Sequence, residues 1–301
     1  MKPTFLGIGA PKAGTTWLFR CLNEHPQVFM APMKETEFLS SFDDKEWSKD
    51  IDEYDRFFNG ADREDAIGEI TVNYLTDKEV PERTHQYFPD MKLVVSLRNP
   101  IDQVYSHFWH LNRQNFHQWF ASPKDGRMSF EEALDKYRDR LLGPAFFSRH
   151  LQRWLRYFDR SQLHVILYDD IAERPEEVLT ALYAFVGVDA SFRPKQESES
   201  TGSQVRQGTS PRSPGLHQLY LRLYAYVSRG PYHRLKLAIG VDRANRIKEV
   251  LRLREIAEKV FRRKGYPPMK ASTRRELAAV FADDVRNLGE LVGRDLSGWL
   301  K

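Results

Sequence analysis

The residues with the clearest chemical potential lie in a loop near the N-terminus. Gly9 and Gly14 have the spacing of the nucleotide-hydrolysing P-loop, G-x-x-x-x-G-K-[ST], but Thr15 occupies the lysine position and Lys12 lies inside the loop. A glycine-rich turn between a strand and a helix directs several backbone N–H groups at one point, and the helix N-terminus adds partial positive charge. Together with Lys12 and the hydroxyls of Thr15 and Thr16, this pattern predicts binding of an anion such as phosphate or sulfate.

A second set of polar residues follows the apolar segment 92–97. Arg98 comes directly after this segment, and Ser106 lies eight residues further on, in a helix that Pro100 opens. An arginine at a strand end and a serine two turns along the next helix can converge on one phosphate, because the guanidinium is a forked, permanently charged donor. The simpler alternative is that Arg98 pairs with Asp102 at the start of this helix.

Short apolar runs alternate with amphipathic segments along the first two thirds of the chain. The runs predict buried strands at residues 4–8, 66–71, 92–97 and 163–167. The amphipathic segments predict helices at 15–23, from Pro100 onward, at 146–157 and at 175–185, the last closed by Gly187. This alternation predicts an α/β fold with a parallel sheet.

The composition is that of a globular protein with a mild positive charge. The chain has 301 residues, 41% of them hydrophobic, and a net charge of +4; it can form a sizeable core, and it needs no nucleic-acid partner to explain its charge. Cys21 is the single cysteine, so an intrachain disulfide is excluded. With no apolar run of about 18 residues and no leader-like start, we expect a cytoplasmic protein without a membrane span.

The positive charge is concentrated late in the chain. Residues 205–275 carry 18 Lys or Arg against four Asp or Glu, a local net charge of 18 − 4 = +14. A polar segment at 191–214 predicts a long loop, and basic helices are predicted at 216–228 and 244–263. These helices have the apolar spacing of ordinary core-covering helices; alternatively they form a lid for an anionic or carrier-bound acceptor.

Three segments resemble the sulfotransferases. Residues 11–18 (PKAGTTWL) are similar to their 5′-phosphosulfate-binding loop, and residues 97–108 (LRNPIDQVYSHF) to their 3′-phosphate-binding strand and helix. Residues 32–38 (PMKETEF) resemble the heparan-sulfate-type and related bacterial branch. The resemblance implies a P-loop-like three-layer fold with a central parallel sheet flanked by helices. It also implies 3′-phosphoadenosine 5′-phosphosulfate (PAPS) as sulfuryl donor, PAP as product, and no metal. We expect one domain over residues 1–301, with a basic helical insertion or lid at about 205–265.

The resemblance assigns donor contacts residue by residue. Lys12 would touch the bridging oxygen and the sulfuryl group, Arg98 and Ser106 would hold the 3′-phosphate, and Trp17 would lie beside the adenine unless it is a core tryptophan. A third contact would come from a late loop, for which Arg206 is favoured over the segment 263–267. The full set of donor-binding predictions is Pro11, Lys12, Ala13, Gly14, Thr15, Thr16, Trp17, Arg98, Ser106 and Arg206.

The acceptor side needs a general base, because a hydroxyl is a poor nucleophile until its proton is removed. By resemblance Glu35 is that base, and Lys34 beside it is expected either to steady the anion or to orient the donor. Glu37, Glu69 and His110 are predicted to contact the acceptor, and His107 and His110 are rival bases. The branch often has a histidine at the position of Glu37 and a lysine after Glu69, where this chain has Ile70.

Two other functions are compatible with parts of the pattern. A P-loop kinase or NTPase using ATP would need a lysine at Thr15 and a magnesium-binding aspartate; Asp169 and Asp170 follow a strand but have no partner signal. A non-catalytic nucleotide-binding protein would not need Lys12 and Glu35 together. The predicted acceptor is a hydroxyl or amine of a carbohydrate, lipid or small natural product, and a carrier protein is a further predicted partner.

Overall fold

The computed structural model describes residues 1–40, 49–113, 128–195, 209–211 and 262–301. Its centre is a five-stranded sheet in which every neighbouring pair is parallel and the strand order is β2-β3-β1-β4-β5. The strands are β1 (Phe5–Gly9), β2 (Val28–Met30), β3 (Ala66–Ile70), β4 (Lys92–Leu97) and β5 (Leu163–Leu167). This architecture confirms the predicted P-loop-like α/β fold with a central parallel sheet.

Helices follow the strands, as a parallel sheet requires. They are α1 (Thr15–Glu24), α2 (Val80–Tyr87), α3 (Pro100–Arg113), α4 (Phe130–Leu142), α5 (Phe147–Trp154), α6 (Tyr168–Glu173), α7 (Pro175–Val186) and α8 (Ala271–Val292). One hydrophobic cluster joins α1 and α7 to the sheet, with Leu18, Phe5 and Leu182 among its buried members. All residues of β1 and β3 are buried, which is the pattern of strands covered on both faces.

The C-terminal segment is anchored to the ends of β4 and β5. The short 3₁₀ turn Ser297–Leu300 follows α8, and its Trp299 donates an indole N–H bond of 2.8 Å to Asp169. The carbonyl of Trp299 accepts a 2.9 Å bond from the side-chain amide of Asn99. Because Asn99 adjoins Arg98, the bond from Asn99 to Trp299 helps to fix the backbone next to Arg98.

Most predicted elements are confirmed, and three differences stand out. The strands 92–97 and 163–167 have the predicted bounds, and Gly187 ends α7 in a left-handed conformation with φ of 95°. The edge strand β2 and the helix α6 were not predicted. The helix predicted for 244–263 is wrong at its end, because Arg262–Lys264 form a strand antiparallel to Thr209–Pro211.

The chain forms two compact units. The first comprises residues 1–108, 130–206 and 269–301, and the second residues 109–129 and 207–268. The second unit holds the two-stranded ribbon and a stacked pair, Trp109 and Tyr266, with ring centroids 5.7 Å apart. The predicted helix at 216–228 and most of the one at 244–263 lie outside the described residues, so the basic lid stays a prediction. Within the described ranges, no helix has the length and apolarity needed to cross a bilayer.

Candidate active site

The loop between β1 and α1 has the conformation of an anion-binding turn. Gly14 caps α1 with φ of 88°, and a Cβ atom there would lie 3.0 Å from Cδ1 of Ile171. Glycine is therefore required at this turn. Lys12 also has a positive φ, 66°, within the loop. The N–H groups of Trp17 and Leu18 donate to the carbonyl of Gly14, whereas those of Thr15 and Thr16 precede the first such bond, so this end of α1 can receive an anion.

Strand β4 and helix α3 hold the loop in place. The N–H of Ala10 donates to the carbonyl of Ser96 at 2.7 Å, and the Ser96 hydroxyl donates to the carbonyl of Ala13. The side-chain amide of Gln103 on α3 donates to the carbonyl of Pro11 at 3.1 Å. The loop is thus tied by side chains to the element that carries the second predicted site, and sequence reasoning missed both Ser96 and Gln103.

Arg98 and Lys12 are brought together, as the sequence predicts. Arg98 donates from Nη1 to the carbonyl of Lys12 at 3.4 Å, and its guanidinium carbon lies 4.6 Å from the ring centroid of Tyr168. The simpler alternative, in which Arg98 pairs with Asp102, does not form, because Asp102 pairs with Arg274. Tyr168 was not predicted, although it follows β5 directly, just as Arg98 follows β4.

Three further side chains belong to α1 and α3, the helices that follow β1 and β4. Ser106 is on α3 and 4% exposed. Trp17 is 7% exposed and belongs to the core cluster, yet its buried indole N–H has no hydrogen-bond partner among the described residues. His107 lies close enough to Lys12 to feel its charge; burial first, and then Lys12, lowers the pKa of His107 to about 4. Its imidazole is therefore neutral at physiological pH and is suited to pack beside a cation.

The second half of the site is an irregular loop, residues 34–40, which follows β2. Glu35 has φ of 63°, and its N–H donates to the carbonyl of Ile70 at the end of β3, at 3.0 Å. One carboxylate oxygen of Glu35 pairs with the ammonium of Lys34, and the other accepts a 2.8 Å bond from the N–H of Val72. Lys34 and Glu35 are thus brought together, and Glu35 keeps 34% of its side chain exposed.

Glu37 lies in the same loop, close to Glu35. Its carboxylate accepts bonds from the amide of Asn73 at 2.6 Å and from the hydroxyl of Ser40 at 3.0 Å. Burial raises the pKa of Glu37 above its usual value, the two hydrogen bonds oppose the rise, and the charges of Glu35 and Asp77 add to it. A carboxylate held in this way can exchange a proton nearer to neutral pH than a solvated one.

Glu69 lies behind this loop and has no exposed surface. Its carboxylate accepts bonds from the hydroxyls of Tyr54 at 2.7 Å, Thr36 at 2.8 Å and Thr71 at 2.7 Å. Burial raises the pKa of Glu69, and these hydroxyls oppose the rise. Glu69 is linked to the 34–40 loop in two ways, through the Thr36 hydroxyl and, by way of Thr71, through the N–H of Glu37.

The structure does not test two of the predicted site residues. His110 lies on α3 in the second unit, and Arg206 lies outside the described residues, so both stay predictions. In the part of the chain that the structure describes, no group of three or more His, Cys, Asp or Glu side chains is arranged to hold a metal ion.

Comparison with known proteins agrees with this geometry. Residues 2–207 match the model of the sulfotransferase domain. The mouse bifunctional heparan sulfate N-deacetylase/N-sulfotransferase 4 is 30% identical over 204 residues, which are 63% of this chain and 23% of that protein. Its Drosophila melanogaster counterpart is 27% identical over 209 residues, 62% of this chain and 20% of that protein. The chain therefore spans about a fifth of the length of these curated relatives.

A solved structure extends the similarity to the whole chain. The crystal structure of a sulfotransferase from Alicyclobacillus acidocaldarius has a TM-score of 0.67 and 25% sequence identity, and the match covers 100% of both chains. Together with the domain match, this favours sulfuryl transfer over the ATP-dependent alternative. The chain belongs to the PAPS-dependent sulfotransferase family and is a transferase.

Proposed function

We propose that this enzyme transfers the sulfuryl group of PAPS to a hydroxyl or amine of a carbohydrate, lipid or small natural product. The observation that carries the proposal is the junction of Arg98 with the Lys12 loop, where Nη1 of Arg98 lies 3.4 Å from the carbonyl of Lys12. PAPS carries phosphate groups at both ends of its ribose. Two cations, one following β1 and one following β4, fit a ligand with two phosphate groups better than a ligand with one.

The donor half supports a specific division of labour. Residues Gly14, Thr15 and Thr16 would hold the 5′-phosphate at the start of α1, where the backbone N–H groups and the helix end favour an anion. Arg98 and Ser106 would hold the 3′-phosphate. Pro11 and Ala13 shape the loop through their anchored carbonyls, and Trp17 would border the adenine.

The chemical step follows from the charges at the two halves. The acceptor oxygen or nitrogen forms a bond to sulfur while the bond from sulfur to the bridging oxygen breaks, so negative charge develops on the departing phosphate of PAP. Lys12 would stabilise that charge, and Glu35 would take the acceptor proton. The ion pair with Lys34 and the bond from Val72 fix the orientation of Glu35. Holding both reactants in place contributes up to roughly 7–11 kcal/mol to such displacements.

The acceptor class rests on the polar lining and on the relatives. Glu37, Asn73 and Ser40 form a hydrogen-bonding group beside Glu35 that suits a polyhydroxyl or amino compound. The relatives described above are named for N-sulfotransferase activity on heparan sulfate, which supports a carbohydrate amine or hydroxyl. A carrier-bound acceptor depends on the basic segment outside the described residues, and the cytoplasmic setting stays a prediction from the sequence.

The proposal is tested by ligand binding and by transfer. Calorimetry with PAP in the presence of EDTA should show binding, and ATP with magnesium should bind no more tightly. Radiolabelled sulfate from PAPS should then be transferred to members of an acceptor panel that includes N-unsubstituted glucosamine oligosaccharides, sugar alcohols and phenols. Lys12→Ala should abolish transfer. Tighter binding of ATP with magnesium, or an absence of transfer to every acceptor, would contradict the proposal.

A further inference from the structure

We propose that the buried carboxylate of Glu69 is a positioning residue, which acts through Thr36 to hold Glu35 and Glu37 in their reactive placement. The inference rests on the proposed function of Glu35 and Glu37 at the acceptor. It gives a role to a fully buried titratable group that cannot itself touch the acceptor.

The 34–40 loop has two residues other than glycine with positive φ. Glu35 has φ of 63° and Glu37 has φ of 52°. These values lie in the left-handed region, where an L-residue other than glycine brings Cβ too close to its own backbone. Two such residues on either side of Thr36 persist only when the surrounding structure imposes their conformation.

Hydrogen bonds to Glu69 and Tyr74 hold this backbone conformation. The Thr36 hydroxyl donates to Oε1 of Glu69 at 2.8 Å and lies 3.2 Å from the hydroxyl of Tyr74. The N–H of Glu37 donates to the hydroxyl of Thr71 at 3.4 Å, and that hydroxyl donates to Oε2 of Glu69 at 2.7 Å. Both oxygens of one carboxylate are therefore linked to the segment between the half-buried Glu35 and Glu37, one through the Thr36 side chain and one through Thr71 to the N–H of Glu37.

Tyr74 and Lys49 hold the far end of the loop. The N–H of Leu39 donates to the Tyr74 hydroxyl at 3.1 Å, so the same cluster also holds residue 39. On the opposite side, Nζ of Lys49 donates to the carbonyls of Glu37, Phe38 and Ser40 at 3.0–3.3 Å. With Thr36 turned inward and the carbonyls held by Lys49, the loop has little freedom to relax into ordinary dihedral angles.

The buried carboxylate of Glu69 needs hydrogen-bond donors, and the loop supplies one of them. An ionised carboxylate only accepts hydrogen bonds, and burying one is costly unless its lone pairs are used. Tyr54, Thr36 and Thr71 supply three hydroxyl donors at 2.7–2.8 Å. One donor comes from the loop itself, so the loop conformation and the compensation of the buried charge depend on each other.

The experiment removes the link without changing the shape of the side chain. Thr36→Val deletes the hydroxyl, Thr36→Ser retains it, and Glu69→Gln perturbs the same bond from the other side. Thr273→Val is the matched control, because the Thr273 hydroxyl donates to a different carboxylate, Glu131, at 3.1 Å. For each variant we would measure kcat for sulfate transfer, the Kd of PAP, and hydrogen exchange of the amides of residues 35–39.

Thr36→Val and Glu69→Gln should lower kcat by about ten- to hundredfold, the scale of a misplaced reactive group. The Kd of PAP should change by less than about twofold, because the donor half is a separate set of contacts. Exchange at residues 35–39 should accelerate, Thr36→Ser should recover most of the turnover, and Thr273→Val should match the wild type.

Several results would overturn the inference. One is unchanged turnover in whichever of Thr36→Val and Glu69→Gln folds; another is unchanged exchange at residues 35–39. A parallel loss of kcat and PAP affinity, with faster exchange throughout the sheet, would show a general structural role instead. If the wild type binds PAP but transfers no sulfate, the proposed function fails, whereas the exchange measurements still decide whether Glu69 and Thr36 position the loop.

Discussion

Arg98→Met should weaken the binding of PAP far more than that of 5′-AMP, which lacks the 3′-phosphate. Methionine keeps the apolar stem of the arginine and removes its charge and its donors. Arg98 lies over Tyr168 at 4.6 Å and contacts the carbonyl of Lys12 at 3.4 Å. Since Asp102 is paired with Arg274, that carboxylate does not neutralise the guanidinium.

The magnitude follows from what the substitution removes in each state. In the free protein it removes a hydrogen bond at the long limit of such contacts and a cation–π contact worth about 0.5–2 kcal/mol. In the complex it also removes at least one charge-assisted hydrogen bond, worth about 1.5–3 kcal/mol. Because 1.4 kcal/mol is a factor of ten in Kd, PAP should bind roughly 12- to 140-fold more weakly. Binding of 5′-AMP should change by less than about twofold.

The assay is isothermal titration of both nucleotides, in EDTA, against the wild type and Arg98→Met. Arg286→Met is a suitable control, because Arg286 is 66% exposed and pairs only locally with Asp283 at 2.9 Å. Equal weakening of PAP and 5′-AMP would refute the 3′-phosphate role and would mean that Arg98 acts through the Lys12 loop. An unchanged Kd for both would remove Arg98 from the site.

Three further predictions test other parts of the structure. Glu35→Gln should lower kcat/KM by about 10²- to 10⁴-fold and leave the Kd of PAP unchanged in calorimetry; near-normal turnover would exclude Glu35 as the base. Gly14→Ala should lower the free energy of unfolding by about 1–2 kcal/mol from the positive φ alone, and the added Cβ would also lie 3.0 Å from Cδ1 of Ile171. A Cβ added at Gly143 has nothing within 4 Å, so Gly143→Ala should change the free energy of unfolding little; urea denaturation measures both. Burial, followed by the charge of Arg160, lowers the pKa of His164 to about 4 from 6.5, so the native state binds this proton less readily than the unfolded state. Stability should therefore fall as pH drops from 6.5 towards 4, at up to about 1.4 kcal/mol per pH unit from this residue; His164→Gln should reduce that slope, and an equal slope in the variant would contradict the assignment.

Strong local signals account for the elements that the sequence predicted well. The runs KLVVSL and LHVIL give β4 and β5 with the observed bounds, because β-branched and other apolar residues suit a largely buried sheet. Gly187 gives the end of α7, because the left-handed cap requires glycine. The edge strand β2 has only three residues, Val28–Met30, which is too short to show a period, and its pairing with β3 is a tertiary choice.

The proximity of Arg98 to the Lys12 loop was predictable, because each lies directly after a strand of one parallel sheet. The Lys12 loop lies between β1 and α1, and Arg98 lies at the end of β4. The position of each is therefore set by the strand that precedes it. Tyr168 could have been found from the same rule, since it follows β5, the parallel neighbour of β4. Its omission came from treating the segment after β5 as an acidic pair, Asp169 and Asp170, and not as the start of a helix.

The acceptor half was only partly predictable, for a different physical reason. The sequence shows Lys34, Glu35 and Glu37 side by side, but it gives no sign that both glutamates have positive φ. That conformation depends on bonds between Thr36 and Glu69, which are 33 residues apart. The family resemblance made Glu69 a predicted acceptor contact, and the structure shows that its side chain has no exposed surface.

The strand order explains why the two halves meet and why they can vary separately. β1 lies at the centre of the sheet, between β3 and β4. The Lys12 loop follows β1; Arg98 and Tyr168 follow the strands on one side of it, and the 34–40 loop and Val72 follow those on the other. In a parallel sheet these segments all emerge at the carboxyl edge. Lys12 therefore follows the strand that lies between β4, which carries Arg98 at its end, and β3, and in the proposed reaction the sulfuryl group would leave the phosphate of PAPS for the acceptor beside it. Glu69 lies on β3 and the 34–40 loop follows β2, so changes in that loop can alter the proposed acceptor side while the Lys12 loop and Arg98, which follow β1 and β4, stay the same.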